Sequence, residues 1–287
     1  MYNYDFSMVG LLLRVVSPFP LTEFFELSHY QTEYRSDVLP DAQYTLKLLP
    51  EDWSVRGELL RDEGQTAVYE WQGEHHRYYF WNIHSKVSYV LLSYSLNDLQ
   101  EYTIYIQREG LEELLKQFRL SAFLALEQLL LHHNAFQLHS SVIDWQGKGI
   151  LFSAPSGTGK STQAELWRRL EGAEIINGDR GMIRLQDKFM VYGSPYAGTS
   201  GIYTNRSVPI RAIVILSQAP ENRLARLSPT AAFGKLFQES TVPSWDPSSA
   251  EIFTELLINL VTQIPVYHLA CRPDGGAVEI LKQELQK

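Results

Sequence analysis

Two glycines, a lysine and three hydroxyl side chains stand together between residues 157 and 162, in the run Ala-Pro-Ser-Gly-Thr-Gly-Lys-Ser-Thr that begins at Ala154. This is the pattern of a phosphate-binding loop, with alanine at the first position where glycine is commoner. Gly157 and Gly159 let successive backbone N–H groups turn toward phosphate oxygens with no side chain in the way. Ser156, Thr158 and Thr162 complete the loop. Lys160 supplies a point charge between β- and γ-phosphates, Ser161 a hydroxyl for Mg²⁺, and the helix expected after Lys160 its positive end. The set predicts ATP with Mg²⁺ as the ligand.

A metal-bound nucleotide also needs a carboxylate. Asp179 follows an apolar run, 173–177, and lies 19 positions past Lys160 (179 minus 160), where the chain has just returned from the helix to the sheet. Mg²⁺ keeps several of its waters, so Asp179 and Ser161 suffice as its protein ligands. His139 sits near the start of a strand leading toward the loop; it either packs in the core or faces the phosphates. Arg180, Arg206 and Arg211 border the segments that follow Asp179 and are the cations placed to steady charge on a transferred phosphoryl group. A solvated surface position is the alternative for each. His75–His76 and His132–His133 are adjacent pairs. Neighbouring strand residues face opposite ways and i, i+1 helix positions diverge, so solvent-facing or capping roles are expected for both.

The elements that must position these groups are legible from the hydrophobic period. Residues 1–110 read as β-rich, with aromatic runs at 66–71, 77–83 and 87–94 and a first strand over residues 1–16. At 111 the period changes to that of a helix running to 133, which makes 111–287 a second, nucleotide-binding domain. Runs at 137–144 and 150–153 around a Gly-containing turn predict a β-hairpin whose second strand enters the loop. A helix over 161–170, a strand over 173–177 and a hairpin turning at Gln186–Lys188 follow. The glycine-rich stretch 193–208 is expected as a loop with hinges at Gly198 and Gly201 that closes over an acceptor. A buried strand at 209–216, a helix around 248–263, a strand at 266–272 and a closing helix from about 275 complete the α/β (α+β) reading.

Composition narrows the partners. A formal net charge of −8 argues against a protein that coats nucleic acid or an anionic membrane, so an anionic nucleotide needs a local site. The one cysteine, Cys271, permits neither an intrachain disulfide nor a cysteine metal cluster. The same cysteine usage makes a cytoplasmic setting the expectation; the first apolar run meets Arg14 too soon for a membrane span and lacks the basic start of a signal peptide, so it reads as a strand.

The run LHSSVIDWQGKGILFSAPSGTGKST, with IINGDR, VPIRAIVIL and YHLACRPD after it, resembles the HPr serine kinase C-terminal domain and the wider phosphoenolpyruvate carboxykinase-like fold. The resemblance covers about 120–280 and leaves residues 1–110 unexplained. Nearest in character are stand-alone kinases that accompany bacterial peptide-modification clusters. The resemblance implies an ATP- and Mg²⁺-dependent transfer of phosphate to a hydroxyl: a serine of a peptide or small protein, or free serine. By position His139 matches the histidine near the phosphates, Lys160 and Ser161 the nucleotide and Mg²⁺ ligands, and Asp179 the second acid of an Asp-Asp pair. The first position of that pair is Gly178. A catalytically weak ATP-binding regulatory or assembly protein of the same fold is therefore the alternative. Carboxykinase chemistry is disfavoured, since no second metal site is evident. Association into a homo-oligomer is left open.

Overall fold

A computed structural model describes residues 1–21, 24–51, 53–82, 87–108 and 120–287. These residues build two sheets and five α-helices, a mixed α/β protein that divides into two compact units, Met1–Leu129 and Leu130–Lys287. The division lies C-terminal to the change of period at 111. No described helix is long and apolar enough to cross a membrane.

The first unit is one nine-stranded sheet. Its strands are β1 (Tyr2–Met8), β2 (Leu11–Ser17), β3 (Gln31–Thr32), β4 (Ala42–Leu48), β5 (Glu58–Asp62), β6 (Thr66–Trp71), β7 (Glu74–Asn82), β8 (Val87–Ser95) and β9 (Asp98–Ile106), in the order β3-β1-β2-β4-β9-β8-β7-β6-β5. Among the described residues of this unit, β2–β4 and β4–β9 pair in parallel and the other pairs are antiparallel. Residues 1–16 form two strands where one was expected, because Val9 and Gly10 both take positive φ and turn the chain back on itself. The unit holds two ion pairs out of water: Arg14 grips both oxygens of Asp5 at 2.8 and 2.9 Å, and Arg77 meets Glu127. His75 and His76 are buried at 6% and 4% exposure, which corrects the expectation that they face solvent. They occupy opposite faces of β7, His75 edge-on to Tyr94 and His76 beside Trp53.

The expected helix over 111–133 falls partly outside the described residues. Its remainder is a 3₁₀ turn, Leu120–Phe123, then a break and α1 (Leu126–His132). At the break Ala125 turns left-handed with φ 44°, which no α-helix residue adopts, and Tyr44 Oη gives the Leu124 carbonyl a partner at 2.9 Å.

In the second unit β10 (Ala135–Trp145) turns through Gln146–Gly147 into β11 (Lys148–Ser153). Both turn residues have positive φ, 57° and 76°, the backbone of a two-residue hairpin whose twist matches its strands. Then follow α2 (Lys160–Glu171), β12 (Glu174–Asn177), β13 (Arg180–Leu185), β14 (Phe189–Tyr192), β15 (Ser207–Gln218), β16 (Arg223–Arg226), α3 (Pro229–Glu239), β17 (Ser240–Thr241), α4 (Pro247–Gln263), β18 (Val266–Cys271) and α5 (Gly275–Leu285). β11 pairs antiparallel with β10 and parallel with β15, which pairs parallel with β18.

Alternate side chains of these strands feed two cores. Leu138, Val142, Leu151 and Ile213 pack with Leu236 of α3 and Phe253 and Leu257 of α4. Ile143, Ile150, Phe152 and Val214 pack with Trp167 of α2 and Leu281 of α5. Period-2 alternation thus seats helices on both faces of the sheet. α2 is bolted down by Trp167, which is fully buried against Trp145 and Phe152.

Candidate functional site

The 154–161 loop is held from both ends. β11 finishes at Ser153, whose hydroxyl donates to the His139 carbonyl at 2.9 Å, and α2 starts at Lys160. Between them Gly157 and Gly159 have φ of 79° and 117°, and a Cβ at either would meet no atom within 4 Å. The glycines are therefore required by backbone conformation, and the space beside them is open. Gly159 caps α2 with no side-chain hydrogen bond, so the first N–H groups of the helix are not claimed by a side-chain cap there. Ser156, Ser161 and Thr162 are exposed, whereas Lys160 is 7% exposed with Nζ donating to the Ala154 carbonyl at 2.7 Å. Burial holds the Lys160 ammonium below the usual lysine pKa, against the opposing pull of Glu239 and Asp179. Both carboxylates therefore lie within electrostatic reach of the loop lysine.

His139 is where the strands converge. β10 pairs with β13 in a register that sets His139 opposite Arg180. On its other edge β10 pairs with β17, Gln137 opposite Thr241 and Leu138 opposite Ser240, so the next residue in line with His139 is Glu239. Cross-strand neighbours share a face. Accordingly His139 Nδ1 lies 3.1 Å from Glu239 Oε2, and Nε2 lies 3.5 Å from Asp179 Oδ1. Arg180 Nε is 3.6 Å from Asp179 Oδ2, its Nη1 donates to Thr241 Oγ1 at 3.3 Å, and its guanidinium lies over the Tyr196 ring.

Asp179 is presented by the side chain of Asn177, which holds the backbone around it. Asn177 is fully buried; its Oδ1 accepts from the N–H groups of Asp179 and Arg180 at 2.9 and 2.7 Å, and its Nδ2 donates to the Ser194 carbonyl. A Cβ at Gly178 would lie 1.8 Å from Ser200 Oγ, so residue 178 carries no side chain while the 193–206 segment sits where it does. That segment also presses on Asp179: a Cβ at Gly198 would lie 2.7 Å from both Cβ and Cγ of Asp179. The two contacts to the Asp179 carboxylate, 3.5 and 3.6 Å, are longer than ordinary hydrogen bonds, which leaves its oxygens free to take a stronger partner.

On the other side of the loop a cleft of about 370 Å³ is lined by Gly157, Gly159, Thr162, Gln163, Gln218 and Arg272 among others. Gln163 is 2% exposed; its amide nitrogen reaches Cys271 Sγ, and its carbonyl oxygen has no partner.

The fold brings together Lys160, His139, Asp179 and Arg180 of the residues singled out in the sequence. Arg206 lies elsewhere, paired with Asp144 and Glu174 on the surface. Arg211 sits beside the first residues of β11, whereas the loop follows the last, Ser153, which is opposite Ile215. Sequence reasoning missed Glu239, although Ser228–Pro229 is a legible helix start: Ser228 Oγ accepts from Ala231 N–H and proline follows at the first position.

Residues 118–286, more than half of the chain, match the model of the family described as "SynChlorMet cassette protein ScmC". A comparison with curated proteins gives no match. Among solved structures, the Hpr(Ser) kinase/phosphatase from Coxiella burnetii is similar at 11% identity, over 52% of this chain and 92% of that one, with a TM-score of 0.31. By the extent of the family match, the chain belongs to the SynChlorMet cassette protein ScmC family.

Proposed function

We propose that the C-terminal unit is an ATP- and Mg²⁺-dependent phosphotransferase. It passes the γ-phosphoryl group to a hydroxyl, on a serine of a peptide or small protein or on free serine, within an arrangement like that of HPr serine kinase. The observation that carries this reading is the open glycine loop with a buried lysine in the field of two carboxylates. Unclaimed N–H groups at a helix start, beside glycines with no room taken, suit phosphate oxygens. The adjoining cleft of about 370 Å³ suits the nucleoside end.

Each residue has a role in this reading. The N–H groups of Gly157, Gly159, Lys160 and Ser161 cradle the phosphates, while that of Thr158 stays with the Pro155 carbonyl, and Lys160 turns its ammonium from the Ala154 carbonyl to them. Ser161 and Asp179 hold Mg²⁺, which supplies charge neutralisation on the phosphates when bound. Among the described residues no three His, Cys, Asp or Glu side chains are grouped to hold a metal alone, which suits an ion that arrives with the nucleotide. His139 and Arg180 flank Asp179, Arg180 as the cation that steadies developing charge. The acceptor is a hydroxyl compound, and neither nucleic acid nor a membrane, given the −8 charge. The cytoplasm, where ATP is supplied, is the setting.

A nucleotide-binding regulator is the second reading, favoured by Gly178, where the acid pair is incomplete. Incubation with Mg²⁺ and γ-labelled ATP, alone and with free serine or serine-containing peptides, separates the two. Transfer or release of label that falls at least about 100-fold in Asp179→Asn, whose amide holds Mg²⁺ poorly, is the expected result. If nucleotide binds, yet no label leaves ATP and Asp179→Asn changes affinity alone, the phosphotransferase reading is wrong.

A further inference from the structure

We infer that Glu239 is the general base of this site, the second carboxylate near Asp179 that position 178 does not supply. The inference rests on the phosphotransferase reading. Position 178 is closed to any side chain by Ser200, so a second carboxylate has to come from another element. One does. The end of α3 runs directly into β17, and the β17–β10 register delivers residue 239 alongside His139.

The side chain is poised for proton abstraction. Glu239 is 16% exposed, one oxygen is held by His139 Nδ1 at 3.1 Å, and the other is not used in that contact. It acts on Lys160 at the mouth of the loop, as Asp179 does. The division of labour follows: Asp179 faces Mg²⁺, His139 fixes the carboxylate plane of Glu239, and Glu239 faces the acceptor. In the step itself, the acceptor oxygen forms a bond to the γ-phosphorus while the bond to the β,γ-bridging oxygen breaks. The electron pair leaves with the diphosphate, and the acceptor proton passes to Glu239.

The groups facing Glu239 and His139 are Asp179, Arg180 and Lys160, from the β12–β13 turn, β13 and α2. Glu239→Gln keeps the acceptor for His139 and removes the basicity. We expect nucleotide affinity, measured by calorimetry with ADP and Mg²⁺, to stay within about threefold of the parent, while release of label from γ-labelled ATP, with water or free serine as acceptor, falls at least about 100-fold. The second variant rebuilds the missing acid. Gly178→Asp with Ser200→Gly clears the 1.8 Å clash and, in the Glu239→Gln background, should recover at least about tenfold.

Turnover by Glu239→Gln equal to the parent overturns the inference and leaves the phosphotransferase reading standing. Loss of nucleotide binding in step with turnover also overturns it, since Glu239 is then part of the binding frame. A parent protein that binds ADP and never releases label overturns the underlying reading as well.

Discussion

Replacing Gly198 by alanine asks whether the 193–206 segment shapes the position of Asp179. The residue has φ 56°, and the new Cβ would stand 2.7 Å from Asp179 Cβ and Cγ and 3.0 Å from Oδ1. Alanine in the left-handed region costs about 1–2 kcal/mol. Forcing a methyl group against a packed side chain costs about 1–3 kcal/mol more. Gly201 is the control on the same segment: φ is 65° and nothing lies within 4 Å of its Cβ, so Gly201→Ala bears the backbone cost alone. Urea denaturation should show Gly198→Ala less stable than Gly201→Ala by about 1–3 kcal/mol. In an Asp179→Ala background, which removes two of the three crowded atoms, that difference should shrink. Mg²⁺-dependent nucleotide affinity should fall in Gly198→Ala and hold in Gly201→Ala, because only the first displaces the carboxylate. Equal losses for the two glycines, or a difference indifferent to Asp179, would refute the reasoning.

Two further expectations concern pH. Asp246 caps α4, accepting from the backbone and hydroxyls of Ser248 and Ser249; burial opposes its ionisation, but these hydrogen bonds win and its pKa lies below the usual 3.8. Its contribution is then present above pH 3.8 and lost as pH falls through the lower folded value, so Asp246→Ala should cost about 1–2 kcal/mol at pH 7 and less at pH 3 by denaturant titration. His76 runs the other way: burial, opposed by Glu74, holds its pKa below 6.5, so the unfolded chain binds the proton more readily. Stability should therefore drop as pH falls through about 6.5, and His76→Phe should flatten that slope between pH 5 and 7; an unchanged slope would show that another group titrates there.

What could be read from the sequence was what depends on neighbours along the chain. The hairpin turn at Gln146–Gly147 and the strand, loop and helix around Lys160 each need only a few consecutive residues, and the structure has them at 135–153 and 160–171. The helix over 111–133 is helical at Leu126–His132 but broken before it, where Ala125 is left-handed and the Leu124 carbonyl is met by Tyr44, 80 residues away. The His75–His76 pair misled because alternation describes directions and not burial; β7 lies inside a nine-stranded sheet, with β6 and β8 on either side. α3 went unread as a helix, although Ser228–Pro229 announces it.

Gly178 shows the same limit where it matters most. In the sequence it is a missing acid, and no local pattern says whether the loss is made good. In the fold it is a consequence of Ser200, whose hydroxyl occupies the space and donates to the Ala197 carbonyl at 2.7 Å, fastening the segment that covers Asp179. With Ser200 in place, a side chain at 178 and the present position of the 193–206 segment exclude one another. The carboxylate beside His139 enters instead from the opposite edge of β10, and a two-residue strand suffices, since two register pairs fix the residue before them. The cost is dependence on α3: any change that lets β17 slip by one residue turns Glu239 to the other face. Thr241→Pro, opposite Gln137, puts at this position a residue with no N–H to give β10 and loses the Arg180–Thr241 contact. Such a variant should keep its nucleotide affinity and lose turnover as Glu239→Gln does; loss of affinity instead would mean that α3 shapes the loop itself.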